Sequence, residues 1–503
     1  METLKELVSV INLQKIRQIK LITEDTDDPD KIKELYDLIA TSQVESDEDA
    51  MRILYNNGSP KSYSRMKNRL KDRLINTLFF IDINQYSKTK YEVALHKIKR
   101  NYAVIGILLD RIKRTAAVEL GEKTIKLAIK YEEVETVLSL SKLLRKHFTV
   151  YAYDKKKKKY YSQLMNNYLK YYQQEIQAEE LYIDLANAIL QNKNIEGYIK
   201  NNAHNIHEVV QNQKTNKNYF FNFYAYDALY FIILNERNYQ KLLNLTDEAI
   251  EFFKNKEGFS KVALFGYNFK KGYTQLNLGY ITEALKTFEV CKEMGPTPGS
   301  ISWFNIHAYI CMTAIILEKY DYALETLSKV TSFKHFNKLN KSLKEPWLVK
   351  EAYLNFLIKM KKVDPNSHKL KSFKIGKFLN EVPTYSKDKS GYNIAIIIIQ
   401  LLYFLLDRKF SKFIDRIDAL NQYSYRYLRN DDTLRSNCFI KMMLKIPDHN
   451  FHPVAVKRHT KKLKATLNNT KPDIREHSSH IEIIPYETLW ELVLELLEKQ
   501  KGG

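Results

Sequence analysis

Glycine and proline are scarce, 14 and 11 among 503 residues, and no long Gly/Ser/Pro stretch interrupts the chain. That leaves little material for flexible linkers or for the tight turns of an all-β fold, so helix is the default reading. Cysteine is scarcer still. Cys291, Cys311 and Cys438 are odd in number, far apart and set in apolar helical patterns, which fits buried free thiols in a reducing compartment and excludes a disulfide framework. No apolar run reaches the roughly 20 residues that span a bilayer. The longest, 394–406, is broken by Gln400 and reads as a fully buried core helix. The opening Met-Glu-Thr-Leu-Lys-Glu lacks the basic-then-apolar layout of a signal peptide. The expectation is a cytoplasmic protein with no membrane span and no membrane partner.

Catalytic signatures are missing as well. Gly258, Gly266, Gly272 and Gly279 are too widely spaced for a phosphate-cradling loop, and neither a Gly-x-Ser-x-Gly elbow nor a His-Glu-x-x-His helix occurs. None of the cysteines has a histidine beside it to activate a thiolate. His449, His452 and His459, near Asp448, and His477 with His480 form two small clusters. Zinc sites use tight Cys/His pairs at set spacings, and none is present, so these read as surface histidines. No catalytic residue, metal or cofactor is assigned, and the expectation is a protein that is not an enzyme.

Charge is lopsided: 80 Lys+Arg against 59 Asp+Glu, a net +21, with a pI near 9.3. The excess favours acidic partners such as nucleic acid, an anionic membrane or an acidic protein. The chain is also rich in Asn, Ile and Tyr, a mixture that AT-rich coding produces everywhere, and composition alone then accounts for part of the lysine. Two stretches concentrate it. Lys155, Lys156, Lys157, Lys158 and Lys159 are flanked by Tyr151, Tyr153, Tyr160 and Tyr161, a lysine track with aromatics of the sort single-stranded nucleic acid prefers. Lys457, Lys461 and Lys464 share one face of a basic helix and could track phosphates. A solvated helix start and the polar outer face of a capping helix predict the same residues.

Hydrophobic periodicity divides the chain into an N-terminal helical segment (1–90), helical hairpins with one long helix (91–217), a repeat array (218–445), and a basic helix, linker and terminal helix (446–503). In the first, acidic turns containing Glu24, Asp25, Asp27, Asp28 and Asp30, then Glu45, Asp47, Glu48 and Asp49, complement the positive ends of the helices they open. In the second, a long helix runs from the lysine track toward Tyr198 as a rod or spine. The third gives helix pairs at 224–234 with 239–253, 265–278 with 282–294, and 303–317 with 321–330; after Pro346 come 347–360 and then 393–406 with 410–427. The fourth ends in a helix with Tyr486, Leu489, Trp490, Val493, Leu496 and Leu497 on one face, a cap for the last repeat.

Ala284, Phe288 and Pro296, in the stretch 278–296, and Leu317, Tyr320, Ala323, Leu324, Leu327 and Val330 in the same order farther on, resemble the second half of a tetratricopeptide repeat. Ala323 stands 39 positions after Ala284. Asn268 and His307 stand where that pattern has a bulky aromatic, and Gly272 and Cys311 where it has a small residue. The C-terminal segment resembles the ends of uncharacterised helical-repeat proteins of Bacteroidota-type bacteria, a likeness that brings no activity. The resemblance implies an all-α, TPR-like α-solenoid and would put Phe269, Tyr273 and Asn277 of one repeat, and Asn305, Ala308 and Met312 of the next, on its groove. An apolar-aromatic groove with amides suits an extended or helical peptide; inter-repeat core is the other reading of Phe269 and Met312. The function expected is a non-catalytic scaffold or adaptor for a partner protein or peptide. The alternative is a nucleic-acid-binding protein that uses the basic stretches. The sequence says nothing of oligomeric state.

Overall fold

The computed structural model describes residues 29–56, 60–78, 89–191, 195–256, 258–259, 261–364, 392–427, 434–470 and 482–501, with a few isolated positions within 1–8, at 83 and within 374–378. Most of the first acidic turn, the less regular stretch after 364, and His477 and His480 lie outside them. The described residues form 21 α-helices and no strand, an all-α, solenoid-like fold in which neighbours in sequence pack on each other. The chain divides into two compact units, 1–173 with 258–260, and 174–257 with 261–503.

The first unit opens with α1 (Pro29–Ala40), α2 (Asp47–Tyr55) and α3 (Pro60–Leu78) around Leu35, Ala50, Leu70 and Leu74. Ser46 caps α2 in a reciprocal box: the Asp49 N–H donates to the Ser46 hydroxyl and the Ser46 N–H to the Asp49 carboxylate. Its neighbour Asp47 has a second duty and accepts from Tyr63 and Lys67 of α3. Next come α4 (Lys90–Asp110), α5 (Arg114–Lys130) and α6 (Val134–Val150), antiparallel neighbours that bury Ile98, Ala117, Ala128, Val137, Leu140 and Leu144. Across α4 and α5, buried Asn101 donates to Thr124 at 3.1 Å. Then α7 (Lys155–Leu190) begins; its residues to Gln173 belong to this unit and the rest to the second. The helix ends at Leu190, short of Tyr198, which lies on a separate helix, α8 (Ile195–Asn201).

The second unit continues with α9 (Ala203–Thr215), α10 (Tyr219–Asn235), α11 (Tyr239–Lys254), α12 (Val262–Leu278), α13 (Ile281–Glu293), α14 (Ile301–Ile316) and α15 (Tyr320–Thr331). It closes with α16 (Lys341–Lys359), α17 (Tyr392–Leu406), α18 (Phe410–Tyr427), α19 (Leu434–Asp448), α20 (Pro453–Asn469) and α21 (Tyr486–Lys501). The pairs expected at α10/α11, α12/α13, α14/α15 and α17/α18 are present. Helix α16 starts five residues before Pro346, not after it, capped by Asn340, whose side chain accepts the Leu343 N–H. Helix α19 was not expected as an element.

A backbone signature marks the repeat more clearly than any side chain. Arg237, Gly279, Glu318, Lys361, Arg408 and Asn450 each sit in the left-handed region between two helices, at intervals of 39 to 47 residues. At five of the six turns the following strand of chain returns a 6→1 hydrogen bond: Tyr280 N to Gln275 O, Lys319 to Ala314, Lys362 to Leu357, Lys409 to Phe404 and Phe451 to Ile446, all at 2.8–3.0 Å. This is a Schellman cap, and it needs a positive φ that only glycine adopts without cost. Five of these six residues are not glycine, so the repeat is invisible to a search for glycine.

Helix α17 is the centre of the C-terminal half. Ile394, Ile396, Ile398, Ile399, Leu401 and Leu405 are fully buried, and the helix packs on α16, α18 and α21. Gln400, the break in the apolar run, accepts from Arg416 Nε at 2.6 Å. Beside it, α16 buries Lys350 under the Trp347 ring, with Nζ 5.6 Å from the centroid, and no carboxylate pairs with it among the described residues. Burial lowers its pKa from 10.5. The unfolded chain therefore binds the proton more tightly, and stability rises with pH up to about that value. Lys350→Met, which keeps the stem and removes the ammonium, is expected to stabilise by about 1 kcal/mol or more at neutral pH and to abolish that part of the pH dependence. Denaturation midpoints at pH 7 and pH 10 check it; a destabilised K350M would mean the ammonium has a partner.

Candidate peptide-binding face

Helix α10 is apolar on every side, and Asp227 is a lone carboxylate in its middle. A buried charge must be paired, and the partners come from one turn of α12. The Tyr267 hydroxyl donates to Asp227 Oδ1 at 2.5 Å, and Lys270 Nζ donates to the same oxygen. Lys270 also lies between two rings, 4.7 Å from the Tyr267 centroid and 5.1 Å from that of Tyr230. Burial lowers the Lys270 pKa even with Asp227 beside it. The same burial, reinforced by Asp227, raises the Tyr267 hydroxyl far above its usual range. This set locks α12 to α10 in one register.

The same stretch of α12 carries aromatic residues that meet α13 and α14. Phe269 meets Tyr309 of α14 edge-on at 5.1 Å between centroids, and Tyr273 meets the same ring at 6.3 Å. Tyr309 in turn leans on Phe288 of α13 at 5.2 Å, and Phe269 on Phe288 at 5.8 Å. Phe288 is fully buried, whereas Phe269, Tyr273 and Tyr309 are half-buried, so three partly exposed rings of α12 and α14 gather beside a buried one. Asn305, exposed and one turn before Tyr309, extends the same side of α14. Asn277 donates its amide to the Tyr273 carbonyl of its own helix at 2.9 Å. Met312 is only 9% exposed and packs with Leu276, Leu285, Ile306 and Ile310, so it is inter-repeat core and leaves the groove.

Tyr309, Asp227 and Lys270 had no place in the sequence reading. The lone Asp227 within an apolar helix is a local signal that a buried partner must lie elsewhere, but it does not name Lys270, which stands beside Lys271 in α12.

On α13 and α15 a second set, Glu289, Lys292 and Tyr322, is closed on itself. Lys292 Nζ donates to Glu289 at 2.7 Å and lies 2.9 Å from the Tyr322 hydroxyl, which donates to Glu289. Beside it His307 Nδ1 lies 2.8 Å from the Trp303 carbonyl, and burial lowers the ring's pKa. Burial likewise pushes the Cys291 and Cys311 thiols up to about 12, so neither is a thiolate at neutral pH.

The basic stretches fall into two places. Lys155, Lys156, Lys158 and Lys159 are exposed on the first turns of α7, while Lys157 is spent on Glu122 at 2.7 Å and on the Phe148 ring at 4.3 Å. On α20, Lys457 and Lys461 are exposed, and Lys464 pairs with Glu491 of α21. Near that helix His449 and His459 stack with centroids 4.0 Å apart. Among the described residues no group of three His, Cys, Asp or Glu could hold a metal ion, and no helix is long and apolar enough to cross a membrane.

Compared with known proteins, the chain matches no family model, no curated protein and no solved structure.

Proposed function

We propose that the second unit is a non-catalytic, TPR-like scaffold that binds a peptide segment of a partner protein on the face of α12 and α14. The observation that carries this reading is the trio Phe269, Tyr273 and Tyr309: half-buried rings, with Tyr309 in T-shaped contact with each of the other two, beside the buried Phe288. Rings held that way lose little freedom on binding and are the residues most often found at interface hot spots. The exposed amide of Asn305 supplies a donor and acceptor for a peptide backbone. Stacked helix pairs offer such faces without any catalytic group.

A photo-crosslinking residue at Asn305 should trap one partner protein, and Phe269→Ala with Tyr273→Ala should reduce capture at least about tenfold, as removing two aromatic anchors does. Helicity by circular dichroism should stay unchanged. Capture undiminished in the double variant, or a turnover that tracks the purified chain, would overturn the reading. Loss of all capture on nuclease treatment would favour the nucleic-acid alternative instead.

A further inference from the structure

We propose that the end of the first unit where α4 turns into α5 and α6 into α7 is a docking surface for an anionic lipid bilayer. In the first turn Ile112 is 81% exposed and held at φ +60°. Left-handed backbone suits a β-branched residue worse than almost any other. At comparable turns the chain places Glu132, Arg237, Glu318, Lys361, Arg408 or Asn450, and Phe451, the other apolar residue with positive φ among the described residues, packs on Phe410 and Phe413. Folding gives no reason for an aliphatic side chain at Ile112.

The neighbouring connection repeats the pattern. The Arg114 guanidinium lies 3.6 Å from the centroid of Tyr151, which ties the two turns together, and beside it Val150 and Tyr153 are 63% and 69% exposed. Cations surround these tips: Arg111 and Lys113 on one turn, Lys155 and Lys156 on the other, all exposed. Of the nearby carboxylates, Asp154 is occupied in capping α7, where it accepts the Lys157 N–H at 3.0 Å, and Asp110 is exposed. The segment 91–173 holds 18 Lys and Arg against 8 Asp and Glu.

This combination separates a bilayer from a nucleic acid. Bases stack on open aromatic faces; the ring of Tyr151 is covered by Arg114 and stacked with His147 at 6.4 Å, which leaves Tyr153 and Tyr160 as the exposed rings beside the aliphatic tips. Ile112 and Val150 give a base nothing to stack on. A bilayer uses every part: aliphatic tips enter the acyl boundary, tyrosines sit at headgroup level, and lysines and arginines are held by the anionic leaflet.

The test is flotation of the full chain with vesicles of phosphatidylcholine alone or with about 30% phosphatidylserine, at low salt and at about 150 mM. Binding is expected on the anionic vesicles only. Ile112→Asn with Val150→Asn, and separately Lys155→Glu with Lys156→Glu, should each weaken it about tenfold or more with helicity intact. All four side chains are exposed, so the variants test docking and not folding. No flotation with anionic vesicles, or full flotation of I112N/V150N, overturns the proposal. So does an oligonucleotide of about 20 residues that binds the chain, is released by K155E/K156E and is retained by I112N/V150N.

Discussion

Replacing Arg435 by alanine is expected to destabilise the C-terminal part of the second unit by about 3–5 kcal/mol, the cost of stripping one partner from a buried ion pair. Arg435 is buried and uses all of its nitrogens. Nε donates to Glu482 at 3.0 Å, and Nη2 to Glu482 and Glu487, both at 2.6 Å. Nη1 donates to Glu487 at 2.8 Å and to the carbonyls of Leu467 and Thr470 at 3.0 and 2.5 Å. One guanidinium thus holds both carboxylates that precede and open α21 and the last carbonyls of α20. Without it Glu482 and Glu487 face each other half-buried or deeper, and the end of α20 loses its acceptors' partner. Lysine cannot substitute, because a point charge does not match the planar fork. The expected readout is a lower denaturation midpoint together with faster proteolysis within 482–501. Arg435→Met combined with Glu482→Met and Glu487→Met should recover much of the loss, since apolar replacement of a whole buried ionic set is often neutral or better. A midpoint in R435A within about 0.5 kcal/mol of the parent, the usual range for surface changes, would mean the cluster is not holding α21 in place.

Much of the architecture was legible because hydrophobic spacing is a local property. Ala284, Phe288, Ala323 and Leu327 are buried in α13 and α15 as a 3.6-residue period requires, and 394–406 is a core helix because it has no polar face to expose. What stayed hidden depends on distant pairing. Asp227 and Lys270 are 43 positions apart and Arg435 and Glu487 52, and nothing local identifies either partner. Met312 shows the limit from the other side: groove and inter-repeat core lie on adjoining strips of one helix, and the offset of about 60° around the axis between Tyr309 and Met312 decides between them. Lys157 and Lys464 belong to runs that look uniform in sequence, yet each is singled out by a carboxylate across the interface, Glu122 and Glu491.

The contact between Gly272 and Phe288 joins the repeat to the proposed binding face, and its disruption should have the second large effect. A Cβ on Gly272 would stand 2.5 Å from Cε1 of Phe288, whose ring is fully buried between Phe269 and Tyr309 and cannot swing away freely. Gly272→Ala is therefore expected to cost about 1–3 kcal/mol through overpacking, although alanine is the better helix former by about 1 kcal/mol. Phe288→Ala removes the base on which both outer rings rest and is expected to cost about 3–5 kcal/mol. The decisive measurement is the double-mutant cycle with Phe288→Leu: if ring contact is what excludes a side chain at 272, G272A should be far less harmful, or even stabilising, beside the smaller leucine. Equal cost in both backgrounds would place the strain elsewhere in α12. The same variants bear on function, because Phe269 and Tyr309 owe their fixed positions to Phe288. F288L should weaken partner capture more than its stability loss explains, as rings that must be ordered on binding add that entropic cost to every complex.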